Sequence, residues 1–125
     1  IIHTITNGSE NYGAGFLNDS IIDFEIATDE IKNLPRAGAP VFLELDYKSN
    51  TRFLVGMYVN NPQLIEKKDL LWVTPKDNWN KIYINLTEIV SESINAESHK
   101  VFLSMLRDFS LDTNRIYFDN LKVIY

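Results

Sequence analysis

Apolar and polar side chains alternate with a period of two over much of the chain. Ile22, Phe24 and Ile26 fall on one face, with Asp23 and Glu25 on the other. Val41, Leu43, Leu45 and Tyr47 oppose Phe42, Glu44 and Asp46; Phe53, Val55, Met57 and Val59 oppose Leu54, Gly56 and Tyr58. Ile82, Ile84 and Leu86 oppose Lys81, Tyr83 and Asn85. Period two is the mark of a half-buried strand, whereas a helix repeats at three and four. Strands are therefore expected over 22–26, 41–47, 53–59 and 81–86. Residues 70–74 and 101–107 are further strand candidates. The second also suits a short buried helix, but its Phe and Val favour the pleat. The last segment, 116–125, changes parity at Asp119-Asn120. A β-bulge there restores the inward face; the other reading keeps Tyr117, Leu121 and Val123 on one side. Residues 87–94 suit one helical turn with Thr87 as its N-cap. Leu34-Pro35-Arg36-Ala37-Gly38-Ala39-Pro40 and Asn60-Asn61-Pro62 read as loops, because proline cannot donate to a ladder and glycine tolerates turn conformations.

Seven or eight strands without a long helix predict an all-β chain folded as a two-sheet antiparallel β-sandwich. Long connections between several strands suit jelly-roll crossings better than a meander of tight hairpins. At 125 residues the chain fits one domain, 1–125, able to bury a core. There is no cysteine, which excludes a disulfide scaffold, a zinc-thiolate site and a cysteine nucleophile. Seventeen acidic against 12 basic residues give a net charge of −5, which argues against nucleic acid as a partner. No apolar run approaches the roughly 20 residues of a transmembrane helix. The chain starts at Ile1 with no basic or apolar leader, so it is expected to be a fragment or processed form of a longer exported protein.

Three segments carry a resemblance. Asn78-Trp79-Asn80-Lys81-Ile82-Tyr83-Ile84-Asn85-Leu86 resembles a strand of jelly-roll carbohydrate-binding modules, and Arg115-Ile116-Tyr117-Phe118-Asp119-Asn120-Leu121-Lys122-Val123 resembles their closing strand with its Asp-Asn pair. Residues 34–48 are similar to a stretch of secreted or surface lipoproteins of Bacteroidetes-type bacteria. The family is the galactose-binding-domain-like superfamily, and the likeness spans roughly residues 34–125. It implies a non-catalytic module at the cell surface or in the periplasm that recognises a glycan or cell-surface polymer. It also implies that the closing-strand Asp119 helps to bind a structural Ca²⁺. Calcium needs six to eight hard oxygens, and Glu10, Asp19, Asp23 and Glu25 are the carboxylates near the chain start that could join Asp119.

Sugar rings stack their C–H faces on indole and phenol rings and direct their hydroxyls to polar groups. Trp72, Tyr58 and Tyr83 are the leading ligand-binding candidates, with Tyr47 and Tyr12 behind them, while Trp79 is assigned to packing at the sandwich edge. Against this stands the packing need of a sandwich core, which aromatic rings fill routinely. A structural or protein-interaction domain with all its rings interior is therefore the first alternative. The second is a glycoside hydrolase fragment using Glu44 and Asp46, which share a strand face at roughly 7 Å. Neither Gly-x-Ser-x-Gly nor a metal-type histidine pair is present, and no enzymatic activity is expected. His3 and His99 are expected at the surface, and Gly8, Gly13 and Gly15 are expected to mark turns.

Overall fold

The computed structural model describes the backbone of residues 2–7, 10–18 and 21–125, and the side chains of 14–18 and 21–125. Among the described residues there are nine strands and one short helix: β1 Ile2–Asn7, β2 Glu10–Leu17, β3 Asp23–Ala27, β4 Phe42–Ser49, β5 Phe53–Asn60, β6 Ile65–Val73, β7 Lys76–Asn85, α1 Thr87–Glu92, β8 Ser98–Leu106 and β9 Asn114–Ile124. They form a five-stranded sheet in the order β1-β2-β9-β4-β7 and a four-stranded sheet in the order β3-β8-β5-β6, with every pairing antiparallel. The expected all-β antiparallel sandwich is the observed one. The connections β2–β3, β4–β5, β6–β7 and β8–β9 each pass from one sheet to the other, and strand polarity gathers all four at one end.

The core lies where the alternation places it. Val41, Leu43, Leu45 and Tyr47 of the first sheet face Phe53, Val55, Met57 and Val59 of the second, all buried. Val101, Leu103 and Met105 complete the inner face of β8, which is a strand and not a helix. The parity change in β9 is met by a shift in pairing: Asp46 opposes Asp119, whereas Glu44 opposes Lys122. Asn120 takes φ 51° at that point, a left-handed conformation that asparagine tolerates.

Several expectations are corrected. Tyr47 is a core residue: its ring packs edge-on to Phe53 at 5.1 Å and its hydroxyl donates to the Thr74 carbonyl at 2.7 Å. Thr87 is the first residue of α1 and not its cap; its Oγ1 accepts the Val41 amide at 3.0 Å, while Asn85 Oδ1 accepts the Thr87 amide at 3.0 Å. Gly13 and Gly15 lie within β2, and a Cβ on Gly15 would stand 2.4 Å from the Phe24 ring, so glycine serves close packing there. Gly8 lies outside the described residues, as does the side chain of His3. His99 is only 2% exposed, because its parity on β8 matches that of the core residues Val101 and Leu103. Burial depresses its pKa, reinforced by the nearby Arg36 guanidinium.

Candidate functional site

Alternation that sends β4, β7 and β9 apolar side chains inward sends a polar and aromatic set outward. On β7 these are Trp79, Lys81 and Tyr83; on β4, Glu44, Asp46 and Lys48; on β9, Tyr117, Asp119 and Lys122. Register makes them neighbours, since Glu44 lies between Tyr83 and Lys122, Asp46 between Lys81 and Asp119, and Lys48 beside Tyr117. Tyr83 is 60% exposed and Trp79 is 44% exposed. Four residues along one strand separate these rings by about 13 Å at roughly 3.3 Å per residue. The Lys48 ammonium bridges the face, 5.4 Å from the Trp79 ring centre and 5.0 Å from that of Tyr117.

The polar groups between the rings are held in place. Lys81 Nζ lies 2.8 Å from Glu44 Oε1, and the Tyr83 hydroxyl donates to the same oxygen at 3.2 Å. Hydrogen bonding from Lys81 is the main cause that holds the Glu44 carboxyl below its usual range, and the Lys81 ammonium is raised in return. Asn120 Nδ2 donates to Asp46 Oδ2 at 2.8 Å, and the Asn120 amide donates to Asp119 Oδ1 at 2.8 Å. The face is therefore a row of exposed rings interleaved with carboxylate, amide and ammonium groups of fixed position. Glu44 and Asp46 do share it, as the hydrolase alternative requires. A glycosidase needs one carboxylic acid kept protonated by a raised pKa. Glu44 moves the opposite way, and Asp46 accepts the Asn120 side-chain amide.

The three ring candidates do not come together. Tyr83 lies on the face just described, whereas Tyr58 and Trp72 lie on the outer side of the four-stranded sheet. There, Phe102 is fully buried although its parity points outward. Its ring lies over Gly56, and Tyr58 roofs it at a centroid distance of 5.2 Å. The Tyr58 hydroxyl donates to Glu25 Oε2 at 2.6 Å, Lys67 Nζ lies 2.7 Å from Glu25 Oε1, and the Lys67 ammonium lies 4.8 Å from the Phe102 ring centre. Tyr58 thus closes a small outer cluster. Trp72, 41% exposed, pairs with Leu54 on the edge strand β6, and the Arg52 guanidinium stacks on its ring at 4.2 Å.

Asp119, the calcium candidate, is half-buried beside Asp46 and Asn120. Among the described residues no group of three His, Cys, Asp or Glu side chains is placed to hold a metal ion. The side chains of Glu10 and Asp19 lie outside the described residues, and Asp23 and Glu25 belong to the other sheet. Two members of the exposed face were missed from sequence. Trp79 does sit on an edge strand, but its indole is partly exposed with the Lys48 ammonium over it, and Tyr117 lines up with it only through the β4–β9 register. The bulge signal at Asp119-Asn120 was the available clue to that register.

No protein-family model and no curated protein matches the chain. Solved structures do. The chain is similar to a family 30 carbohydrate-binding module of a cellulosomal cellulase of Clostridium thermocellum, with TM-score 0.67 and 13% identity over 98% of this chain and 81% of that one. It is similar to a family 22 xylan-binding domain from Paenibacillus barcinonensis, with TM-score 0.60 and 12% identity over 98% and 85%. It is also similar to a family 16 carbohydrate-binding module, with TM-score 0.60 and 10% identity over 99% and 85%. At these identities the likeness establishes the fold: this chain has the β-sandwich fold of carbohydrate-binding modules.

Proposed function

We propose that this domain is a non-catalytic glycan-binding module whose platform is the outer face of the five-stranded sheet. One observation carries the reading: Trp79 and Tyr83 expose their rings on one strand face, with Lys81, Asp46 and Asn120 beside them. Stacking on the rings supplies contact area, while the fixed amide and carboxylate groups receive sugar hydroxyls. The shared fold with carbohydrate-binding modules supports the same reading. Trp72 is kept as a ligand contact at the far end of the sandwich, and Tyr58 supports its own sheet. An exported setting, at the cell surface or in the periplasm, follows from a polymeric glycan as ligand. No helix among the described residues is long and apolar enough to cross a membrane.

Affinity electrophoresis of the chain against soluble xylan, mixed-linkage glucan, galactomannan and xyloglucan tests the proposal. Retardation by at least one neutral polysaccharide, weakened about tenfold by Trp79→Ala or Tyr83→Ala, is the expected result. Retardation that survives both substitutions would move the site elsewhere.

A further inference from the structure

Resting on the glycan-binding reading, we infer that the end of the sandwich where the β2–β3, β4–β5, β6–β7 and β8–β9 connections meet binds a carboxylate-bearing sugar, so that the preferred polymer is an acidic polysaccharide. Two adjoining clefts occupy this end and share Asn50. One, of about 490 Å³, is lined by Arg52, Trp72 and Arg107, among others. The other, of about 280 Å³, is lined by Lys48, Lys76, Arg115 and Tyr117, among others. Together they collect five of the chain's 12 basic residues and only two of its 17 acids, Asp77 and Asp108. The lining of these two clefts is thus locally positive in a protein of net charge −5.

Three of these side chains are held against aromatic rings. Arg52 lies on the Trp72 face at 4.2 Å, Lys48 between Trp79 and Tyr117, and Arg107 over Phe109 at 5.0 Å. Arg52, Arg115, Lys48 and Lys76 form no ion pair with any described residue. Asp108 is occupied locally, its Oδ1 accepting the Ser110 amide at 2.9 Å and the Ser110 hydroxyl at 2.6 Å.

The loops that carry these groups are pinned. Asn50 donates to the Thr113 carbonyl at 2.7 Å and accepts the Arg115 amide at 2.8 Å. Asn114, fully buried, accepts the Asp108 amide at 2.9 Å and donates to its carbonyl at 3.3 Å. Such a frame presents the guanidinium groups with little ordering left to do on binding. A planar guanidinium fork matches a carboxylate bidentately, and the adjacent indole offers the sugar ring a stacking face. Lys48 and Tyr117 join this end to the exposed row of Trp79 and Tyr83, so one chain can engage both. The acidic remainder of the surface disfavours a long nucleic-acid strand, whose charge cannot be confined to this end.

Titration of the full chain with polygalacturonate, fully methyl-esterified polygalacturonate, neutral xylan and single-stranded DNA tests the inference. Polygalacturonate is expected to bind at least about tenfold more tightly than its methyl ester, a preference that shrinks as added salt screens it. Arg52→Gln combined with Arg115→Gln should abolish that preference and leave xylan binding unchanged. Lys76→Gln alone should reduce it in the same direction, which keeps the test sound if the double variant fails to fold. Equal binding of acid and ester, a preference untouched by these variants, or DNA binding as tight as polygalacturonate would overturn the inference. Xylan binding that persists in any of those cases leaves the proposed function standing. Failure of every glycan to bind would remove both.

Discussion

Gly56→Ala tests the outer cluster of the four-stranded sheet, which decides why Tyr58 is a packing residue. A Cβ at this position would stand 2.3 Å from Phe102 Cζ and 2.4 Å from the Lys68 carbonyl oxygen. Carbon atoms pack best at about 3.5–4.0 Å, so the Phe102 ring would have to retreat by more than about 1 Å. Tyr58 and Lys67 block that movement from above, and the Lys68 carbonyl belongs to the β5–β6 ladder. Overpacking of this kind costs about 1–3 kcal/mol. For a domain of this size that lowers the melting temperature by about 4 °C per kcal/mol, hence roughly 4–12 °C. The sign is diagnostic, because Gly→Ala at an unstrained, uncrowded position stabilises by about 0.4–1 kcal/mol. Phe102→Ala alone should cost about 3–5 kcal/mol by opening a cavity. In the double variant the new methyl occupies part of that cavity, so the two costs should fall short of additive by about 1 kcal/mol or more. Urea unfolding of the four proteins of this cycle, followed by tryptophan fluorescence, gives each term. A Gly56→Ala protein as stable as its parent, or strictly additive costs, would refute the packing argument.

Three further outcomes follow from the same geometry. The buried His99 has a folded pKa below its unfolded value near 6.5, so the unfolded chain takes up its proton first. Its contribution to stability is complete above about pH 6.5 and declines as the pH falls towards the depressed folded pKa; melting scans should show that slope, and His99→Leu should flatten it. Tyr47→Phe leaves the Thr74 carbonyl without its donor and should cost about 1 kcal/mol in urea unfolding, with no change in glycan affinity. Chelator and added Ca²⁺ should leave the melting temperature unchanged, since Asp119 already accepts the Asn120 amide and Asp46 the Asn120 side chain; a rise with Ca²⁺ would instead support Asp119 as a metal ligand.

The sandwich was legible wherever one strand face is fully buried. In β4 every inward position but the last, Ser49, carries an apolar or aromatic side chain, and in β5 Phe53, Val55, Met57 and Val59 all do, so period two stands out and sets the register. The strand β6 begins earlier than expected because Glu66, Lys67, Lys68 and Asp69 interrupt the apolar signal on an edge, where charge guards against mispairing. The strand β2 was hidden for a different reason. Its Gly15 makes room for the Phe24 ring, and the sequence shows the space but not what fills it. The helix-like density of Val101, Phe102 and Leu103 arises because Phe102 is buried on the outer side, over a glycine in another strand. The ring row was half legible: Tyr83 followed from alternation, whereas Trp79 and Tyr117 join it only through pairings between strands distant in sequence. The positive clefts were invisible for the same reason, since Arg52, Lys76 and the pair Arg107 and Arg115 sit in or beside three separate connections that meet only in the folded chain.

Nuclear magnetic resonance with labelled protein, titrated with oligosaccharides cut from a polysaccharide that retards the chain, tests the glycan platform most directly. Amide and side-chain shifts are expected to concentrate on Trp79, Lys81, Tyr83, Asp46 and Asn120, with Tyr58 and Phe102 unmoved. Shifts confined to the four-stranded sheet, or spectra indifferent to every oligosaccharide, would contradict the account.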